Sequence, residues 1–437
     1  RVQDNTYLGI RHTTGRNNGG QATVSESTYN DYIVEAILNY NKDINKHHFD
    51  ATAMASINGI QWKRIGNTGL GFPNDDLSYN AISSATTFSP MAYELSDRKL
   101  LSYMARARYN FDSKYLLTLS VRVDGSSVFG ANNKYGYFPA AAVAWRLKQE
   151  NFLKDVKQID NIKLRASYGT SGNQAVGVYQ TISTQGVTKY IFNGITATGL
   201  VSSSLLTSGV LGNAELNWES TTGSNFAIDF SILNNRISGT VEAYFTKTKD
   251  VLLRRQLPTI TGFGSIFDNL GSVKNRGVEF TLNTVNVKNE DFTWSSNINF
   301  SSNRNEIVSL YGDGKDDIGN KWFIGKPLYA IYDYKLDGVW QVGEDASQVD
   351  PGATPGSLKF VDVNGDKKIT EADRVYQGTS LPKWTGGIIN NFKYKEFGLS
   401  IFLQTAQGAK INNPLLNLQN YGGRVSFPQE VGYWTAA

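Results

Sequence analysis

The joins between strand-like segments constrain this chain more than any other feature. About a dozen stretches of roughly ten residues alternate apolar and polar side chains, the period of a half-buried strand. The joins alternate as well: tight and polar ones at 41–45, 111–114, 233–236, 287–291 and 393–397, long irregular ones across 59–97, 125–135, 171–215, 250–273 and 303–383. In an up-and-down antiparallel sheet this places every long loop at one end. A soluble sheet has no reason for such a bias. An outer-membrane barrel does, because it has short periplasmic turns and longer extracellular loops.

The faces agree with that reading. Around the 111–114 turn, one face carries Leu101, Tyr103, Ala105, Ala107 and Tyr109, then Tyr115, Leu117, Leu119, Val121 and Val123. The other carries Ser102, Met104, Arg106, Arg108 and Asn110, then Thr118, Ser120, Arg122 and Asp124. In a barrel the apolar face meets lipid and the arginines meet a wet lumen; an arginine facing lipid at the midplane costs about 2–4 kcal/mol. The pattern recurs at Ile162–Tyr168, Phe226–Phe230, Ile237–Phe245, Val278–Leu282, Phe292–Phe300 and Trp384–Leu403. The alternative is a soluble β-sandwich with one solvated face. Strands near ten residues count against it, since ordinary strands run to about five or six.

Composition narrows the classes further. No stretch approaches the roughly 18–20 apolar residues of a membrane helix, which leaves barrel strands untouched. The net charge of +4 over 437 residues is too small and too evenly spread for a nucleic-acid partner. No cysteine is present, so disulfides play no part. The three histidines, His12, His47 and His48, form no triad, and the adjacent pair points to opposite faces of a strand. No carboxylate pair suits glycoside hydrolysis and no phosphate-cradling loop appears. Gly262–Phe263–Gly264 lacks the strand-to-helix setting of a dinucleotide site. The chain is expected not to be an enzyme.

Three blocks carry a family resemblance. They are YLLTLSVRVDGSSVFGANNKYGYFP (115–139), which runs on to NIKLRASYGTSGNQ (161–174); LPTITGFGSIFDNLGSVKNRGVEFTLN (257–283); and PGSLKFVDVNGDKKITEADRVYQGTSLPKWTGGIINNFKYKEFGLSIFLQTAQG (355–408). In this order they closely resemble the SusC/RagA family of TonB-linked outer-membrane proteins, over most of the chain after about Leu100. The resemblance implies an all-β, transmembrane antiparallel β-barrel of 22 strands with an N-terminal plug. It implies a SusD-like surface lipoprotein as lid, the TonB complex as power source, and oligosaccharide or peptide cargo. No plug domain or TonB box is recognisable in residues 1–437, which read as part of one barrel, its middle and later strands. Gly125, Gly169, Gly172 and Gly277 within these blocks read as turn formers.

One constellation suggests a metal. Residues 362–373 have the spacing of a calcium loop, with Asp362, Asn364, Asp366, the carbonyl of Lys368, Thr370 and Asp373 at positions 1, 3, 5, 7, 9 and 12. Position 6 is Lys367 where such loops want Gly, and position 12 is Asp where they want Glu. The alternative is an Asx-rich turn with no ion. Trp322, Tyr329, Tyr332, Tyr334 and Trp340 lie in the longest loop, where packing explains them better than sugar stacking.

The resulting expectation is a TonB-dependent importer of SusC type in the bacterial outer membrane. Its lumen-facing candidates are Arg106, Arg108, Arg122, Lys163, Arg165 and Glu242. A receptor for siderophores or cobalamin, or a non-transporting surface protein that binds carbohydrate, stands as the alternative.

Overall fold

A computed structural model describes residues 1–183, 186–192, 195–201, 211–261 and 263–411. Its strands are β1 (Val2–Leu8), β2 (Gln21–Ile44), β3 (His47–Leu70), β4 (Thr87–Phe88), β5 (Ala92–Phe111), β6 (Tyr115–Ser126), β7 (Tyr135–Arg146), β8 (Ile159–Asn173), β9 (Gly186–Phe192) and β10 (Ile195–Val201). They continue as β11 (Glu219–Ile232), β12 (Ile237–Gln256), β13 (Ser265–Lys288), β14 (Phe292–Ser309), β15 (Ala330–Tyr334), β16 (Leu336–Val339), β17 (Leu358–Phe360), β18 (Arg374–Thr379), β19 (Trp384–Tyr394) and β20 (Phe397–Gln407). One 14-stranded sheet runs β1-β2-β3-β5-β6-β7-β8-β11-β12-β13-β14-β19-β20, with β4 beside β3. Small hairpins β9/β10, β15/β18 and β16/β17 lie within the long connections. Among the described residues no helix is long and apolar enough to cross a membrane, which says nothing against crossing by strands.

Every tight join expected from the sequence is a turn: 45–46, 112–114, 233–236, 289–291 and 395–396. Asn45, Asp112, Ser113, Leu233, Asn234, Asn235 and Lys395 take positive φ there, which reverses the chain within a few residues. A further join at the same end, 147–158, is longer; Lys148 Nζ ties it by donating to the carbonyls of Leu153, Lys154 and Val156 at 3.1, 3.1 and 2.7 Å.

The strands are longer than the alternating pattern implies. β2, β3 and β13 each have 24 residues, and β5 and β12 have 20. The connections read as 59–97 and 250–273 therefore shrink to 71–91 and 257–264. A 24-residue strand reaches about 80 Å, far beyond an apolar band about 25 Å tall. Above that band both faces are wet, so the alternation fades while the hydrogen-bonded ladder continues, as in Gly59–Gly66 on β3, which pairs with both β2 and β5.

Orientation follows the expectation. Tyr103, Leu119 and Val121 are exposed at 48, 48 and 42%, whereas Ser102 and Asp124 on the opposite face are 2 and 7% exposed. A water-soluble protein would have the reverse. Aromatic rings gather beside the tight turns, as interfacial girdles do. His47, Phe49, Tyr109, Phe111 and Tyr115 form one cluster, with His47 Nδ1 hydrogen-bonded to the Tyr109 hydroxyl at 2.7 Å. Trp294 stacks on Phe392 at 5.6 Å in another.

The chain forms two compact units. The first comprises Arg1–Ala144, Ser167–Thr222 and Asp250–Asn269. Its core is Val128, Phe129, Phe138, Val176, Leu216 and Trp218, contributed by β7 and the connections around it. Trp218 packs on Phe129 and Phe138 at 4.9 and 5.4 Å, and its indole N–H donates to the Lys134 carbonyl at 2.9 Å. The strands correct the turn reading of all four glycines: Gly125, Gly169, Gly172 and Gly277 lie inside strands without positive φ, and at Gly169 a Cβ would meet Ala140 at 2.7 Å. At Gly125, Gly172 and Gly277 a Cβ would come within 2.5 Å of the Tyr135 ring, 2.1 Å of the Phe138 ring and 2.4 Å of the Tyr244 ring. These three are seats for aromatic rings, a use of glycine that needs the neighbouring strand to be seen.

The second unit comprises Trp145–Ala166, Gly223–Lys249 and Leu270–Ala437. Its long connection 310–383 is ordered by packing of Leu310, Phe323, Ala330 and Trp340, all buried.

Candidate lumen-facing site

The inner face of the first unit is a hydrogen-bonded polar wall. Strand register places Thr52 opposite Arg106 and Asp50 opposite Arg108. The Arg106 guanidinium donates to Thr52 Oγ1 at 3.3 Å, and Thr52 donates to Asn39 at 2.9 Å. Arg108 lies 3.9 Å from Asp50. Arg122 Nε donates to both oxygens of Asp124, at 2.9 and 2.8 Å, and its Nη2 donates to Ser102 at 2.9 Å.

The second unit has its own network. Arg165 grips Asp229 bidentately, Nε to Oδ2 at 2.8 Å and Nη2 to Oδ1 at 3.0 Å, and reaches Glu242 at 3.6 Å. Thr240 donates to Asp229 at 3.0 Å and Lys163 lies 3.7 Å from it. Asn225 donates to Glu242 at 2.5 Å. The fork geometry of arginine against carboxylate fixes these side chains along the wall. Such a wall can hydrate a passage and offer paired donors and acceptors to a polar solute.

All six sequence candidates therefore lie on inner faces. Their counter-ions are Asp50, Asp124 and Asp229. Asp124 lies two residues from Arg122 on the same face of β6 and is legible from the sequence, whereas the pairing of Asp50 with Arg108 and of Asp229 with Arg165 depends on which strands are neighbours.

The 362–373 loop folds as successive Asx turns. Asp362 accepts from the N–H groups of Gly365 and Lys367 at 2.7 and 2.8 Å. Asn364 accepts from Asp366 N–H at 2.9 Å and Asp366 from Lys368 N–H at 2.8 Å. Lys367 takes φ 62°, the left-handed conformation that position 6 requires. Asp373, fully buried, spends both oxygens on the N–H groups of Val363 and Thr370, each at 2.8 Å. Those bonds, Thr370's first, hold its carboxyl below the usual aspartate range. Asp362, Asn364, Asp366, Thr370 and Asp373 thus share one turn, but their oxygens close backbone bonds. Among the described residues no three acidic or histidine side chains converge as a cation cage.

The loop aromatics divide. Tyr332 packs on Phe323 at 4.8 Å, Tyr334 on Phe360 at 5.2 Å, and Lys359 Nζ sits 4.6 Å over the buried Trp340 ring. Tyr329 is exposed. His48 pairs with Asp43, opposite in facing to His47. Gly262 lies outside the described residues.

Comparison with known proteins gives a consistent answer. The family model described as TonB dependent receptor-like, beta-barrel matches residues 2–433. TonB-dependent receptor P3 of Formosa agariphila is 32% identical over 99% of this chain and 44% of its own length. TonB-dependent receptor SusC of Bacteroides thetaiotaomicron is 33% identical over 72% of this chain and 31% of its own length. Among solved structures, that of the RagAB peptide transporter superposes with a TM-score of 0.73 at 26% identity, covering 88% of this chain and 42% of that one. The chain spans less than half the length of these relatives.

Proposed function

Since the chain belongs to the TonB-dependent receptor β-barrel family, of the SusC/RagA type and resident in the outer membrane, we propose that the whole protein imports oligosaccharides or peptides. A SusD-like surface lipoprotein would lid it, and the TonB complex, acting through an N-terminal plug, would drive it. The observation that carries this reading is the segregation of faces: apolar side chains outward, salt-bridged Arg122, Arg165 and Asp229 inward. A wet, charge-balanced wall suits a bulky polar solute. The similarity to SusC and to a peptide transporter supports the cargo classes over siderophores and cobalamin.

The experiment uses the full-length receptor. A tagged copy is expected to co-purify one surface lipoprotein, and cells are expected to take up labelled oligosaccharide or peptide mixtures only while TonB is present. Uptake of iron chelates or cobalamin in place of these, or uptake independent of TonB, would overturn the proposal.

Calcium binding by 362–373 is a separate proposal supported by sequence spacing. Calorimetric titration of the full-length protein tests it, and an Asp362→Ala variant should abolish any uptake of the ion.

A further inference from the structure

A cleft of about 480 Å³ in the second unit has six charged residues in its otherwise neutral lining: Lys274, Arg276, Arg304, Glu306, Lys383 and Lys410. Five of these six side chains are cationic. The single acid is already taken, since Glu306 lies 2.7 Å from Lys274. Among the described residues, Arg276, Arg304, Lys383 and Lys410 have no carboxylate within 4.0 Å. Strand register sets Arg276 directly opposite Arg304. Like charges facing each other across a ladder destabilise it, so this pair calls for an anion between or above the two guanidinium groups. Arg304 is aimed by its bond from Nη1 to the Lys383 carbonyl at 3.1 Å.

The face decides which anion. Side chains two apart share a face of a strand. Lys274 and Arg276 therefore lie on the side of Val278 and Phe280, and Arg304 on the side of Ile298 and Phe300. That is the outward, lipid-facing side: Val278 is exposed. The height is equally defined. Phe300 stacks on Trp384 at 5.8 Å, an aromatic pair at the loop end of the apolar stretch. Arg304 follows Phe300 by two outward steps, about 14 Å along the strand. Lys274, Arg276 and Arg304 thus lie on the outside of the wall just above the aromatic level at the end with long loops, where headgroups of the outer leaflet lie. Cargo in the passage would meet the other face.

We infer that this cleft binds the phosphate-bearing headgroup of an outer-leaflet lipid. The guanidinium groups of Arg276 and Arg304 grip the phosphate oxygens, a match of planar forks to tetrahedral anion. Lys383 and Lys410 line the same cleft and add to its positive charge. The acyl chains then run down over Val278, Phe300 and Trp384, and the anion relieves the facing arginines.

The test uses the full-length receptor in nanodiscs of equal phosphatidylcholine and phosphatidic acid. After extraction in mild detergent, the retained lipids are counted by native mass spectrometry. The wild type should keep phosphatidic acid over phosphatidylcholine, and excess inorganic phosphate should not displace it. Arg276→Gln with Arg304→Gln should lower that preference about 30-fold, from the usual worth of two basic side chains at a membrane surface. Lys383→Gln with Lys410→Gln should lower it in the same direction, and Lys315→Gln, outside the cleft, should leave it intact. Heat-modifiable gel migration verifies that each variant is folded. Equal retention of the two lipids by the wild type, unchanged preference in both folded double variants, or displacement by inorganic phosphate alone would each overturn the inference.

Discussion

Replacing Leu119 by arginine tests the orientation on which the whole reading depends. Leu119 is 48% exposed on the apolar face of β6. It stands four residues above Tyr115 in the lower aromatic cluster and six below Gly125, where the Tyr135 ring lies. Four residues are about 14 Å of strand, or about 10 Å of height at a tilt near 40°, close to the middle of an apolar band about 25 Å tall. An arginine there should cost about 2–4 kcal/mol, a factor of about 30–1,000 in the folding equilibrium. Its neighbour Thr118 faces inward, opposite Arg108. Thr118→Arg brings two like charges together, but such a cross-strand pair costs at most about 1 kcal/mol. Urea unfolding of the full-length protein in lipid vesicles, followed by tryptophan fluorescence, measures both. Leu119→Arg should be the more destabilising by at least about 1 kcal/mol. A Thr118→Arg cost equal to or above that of Leu119→Arg would refute the assignment of faces.

Other outcomes follow from the same contacts. Gly172→Ala puts a Cβ 2.1 Å from the Phe138 ring and should cost about 1–3 kcal/mol by overpacking, partly recovered in a Gly172→Ala, Phe138→Leu double variant on the same unfolding assay. Asp229→Asn leaves Arg165 and Lys163 without their shared carboxylate; because the wall is wet, the loss should be about 1 kcal/mol or less, read by a double-mutant cycle with Arg165→Gln. The Asp373 carboxyl is held below the aspartate range by the N–H groups of Thr370, Val363 and Asn364, so its contribution is full above the unfolded pKa of about 3.9 and is lost as pH falls through the lower folded value. Amide exchange at Val363 and Thr370 should stay protected at pH 5 and open only below about pH 4, and Asp373→Asn should weaken that protection at every pH.

The meander and its two unlike ends were legible in the sequence because they are local. Turn residues such as Asn234 and Asn235 tolerate the positive φ they take here better than other non-glycine residues do, and period-2 alternation encodes face without reference to a partner. The inner-wall arginines were legible for the same reason. Their partners on other strands were not. Arg165 and Asp229 lie on β8 and β11, separated in sequence by the β9/β10 hairpin, and only strand neighbourhood brings them within 2.8 Å.

What the amino-acid order determined alone is where the chain reverses and which side of each ribbon tolerates oil, since both depend on backbone sterics and side-chain transfer energies. Tertiary structure decided how far the ladders climb past the apolar band, since pairing of backbone groups does not need alternation. It also decided that Gly172 seats the Phe138 ring and that Asp373 ties down its own loop, because each depends on atoms brought near by folding. The facing of Arg276 and Arg304 belongs to the same class: register between two strands creates it, and neither strand read by itself contains it.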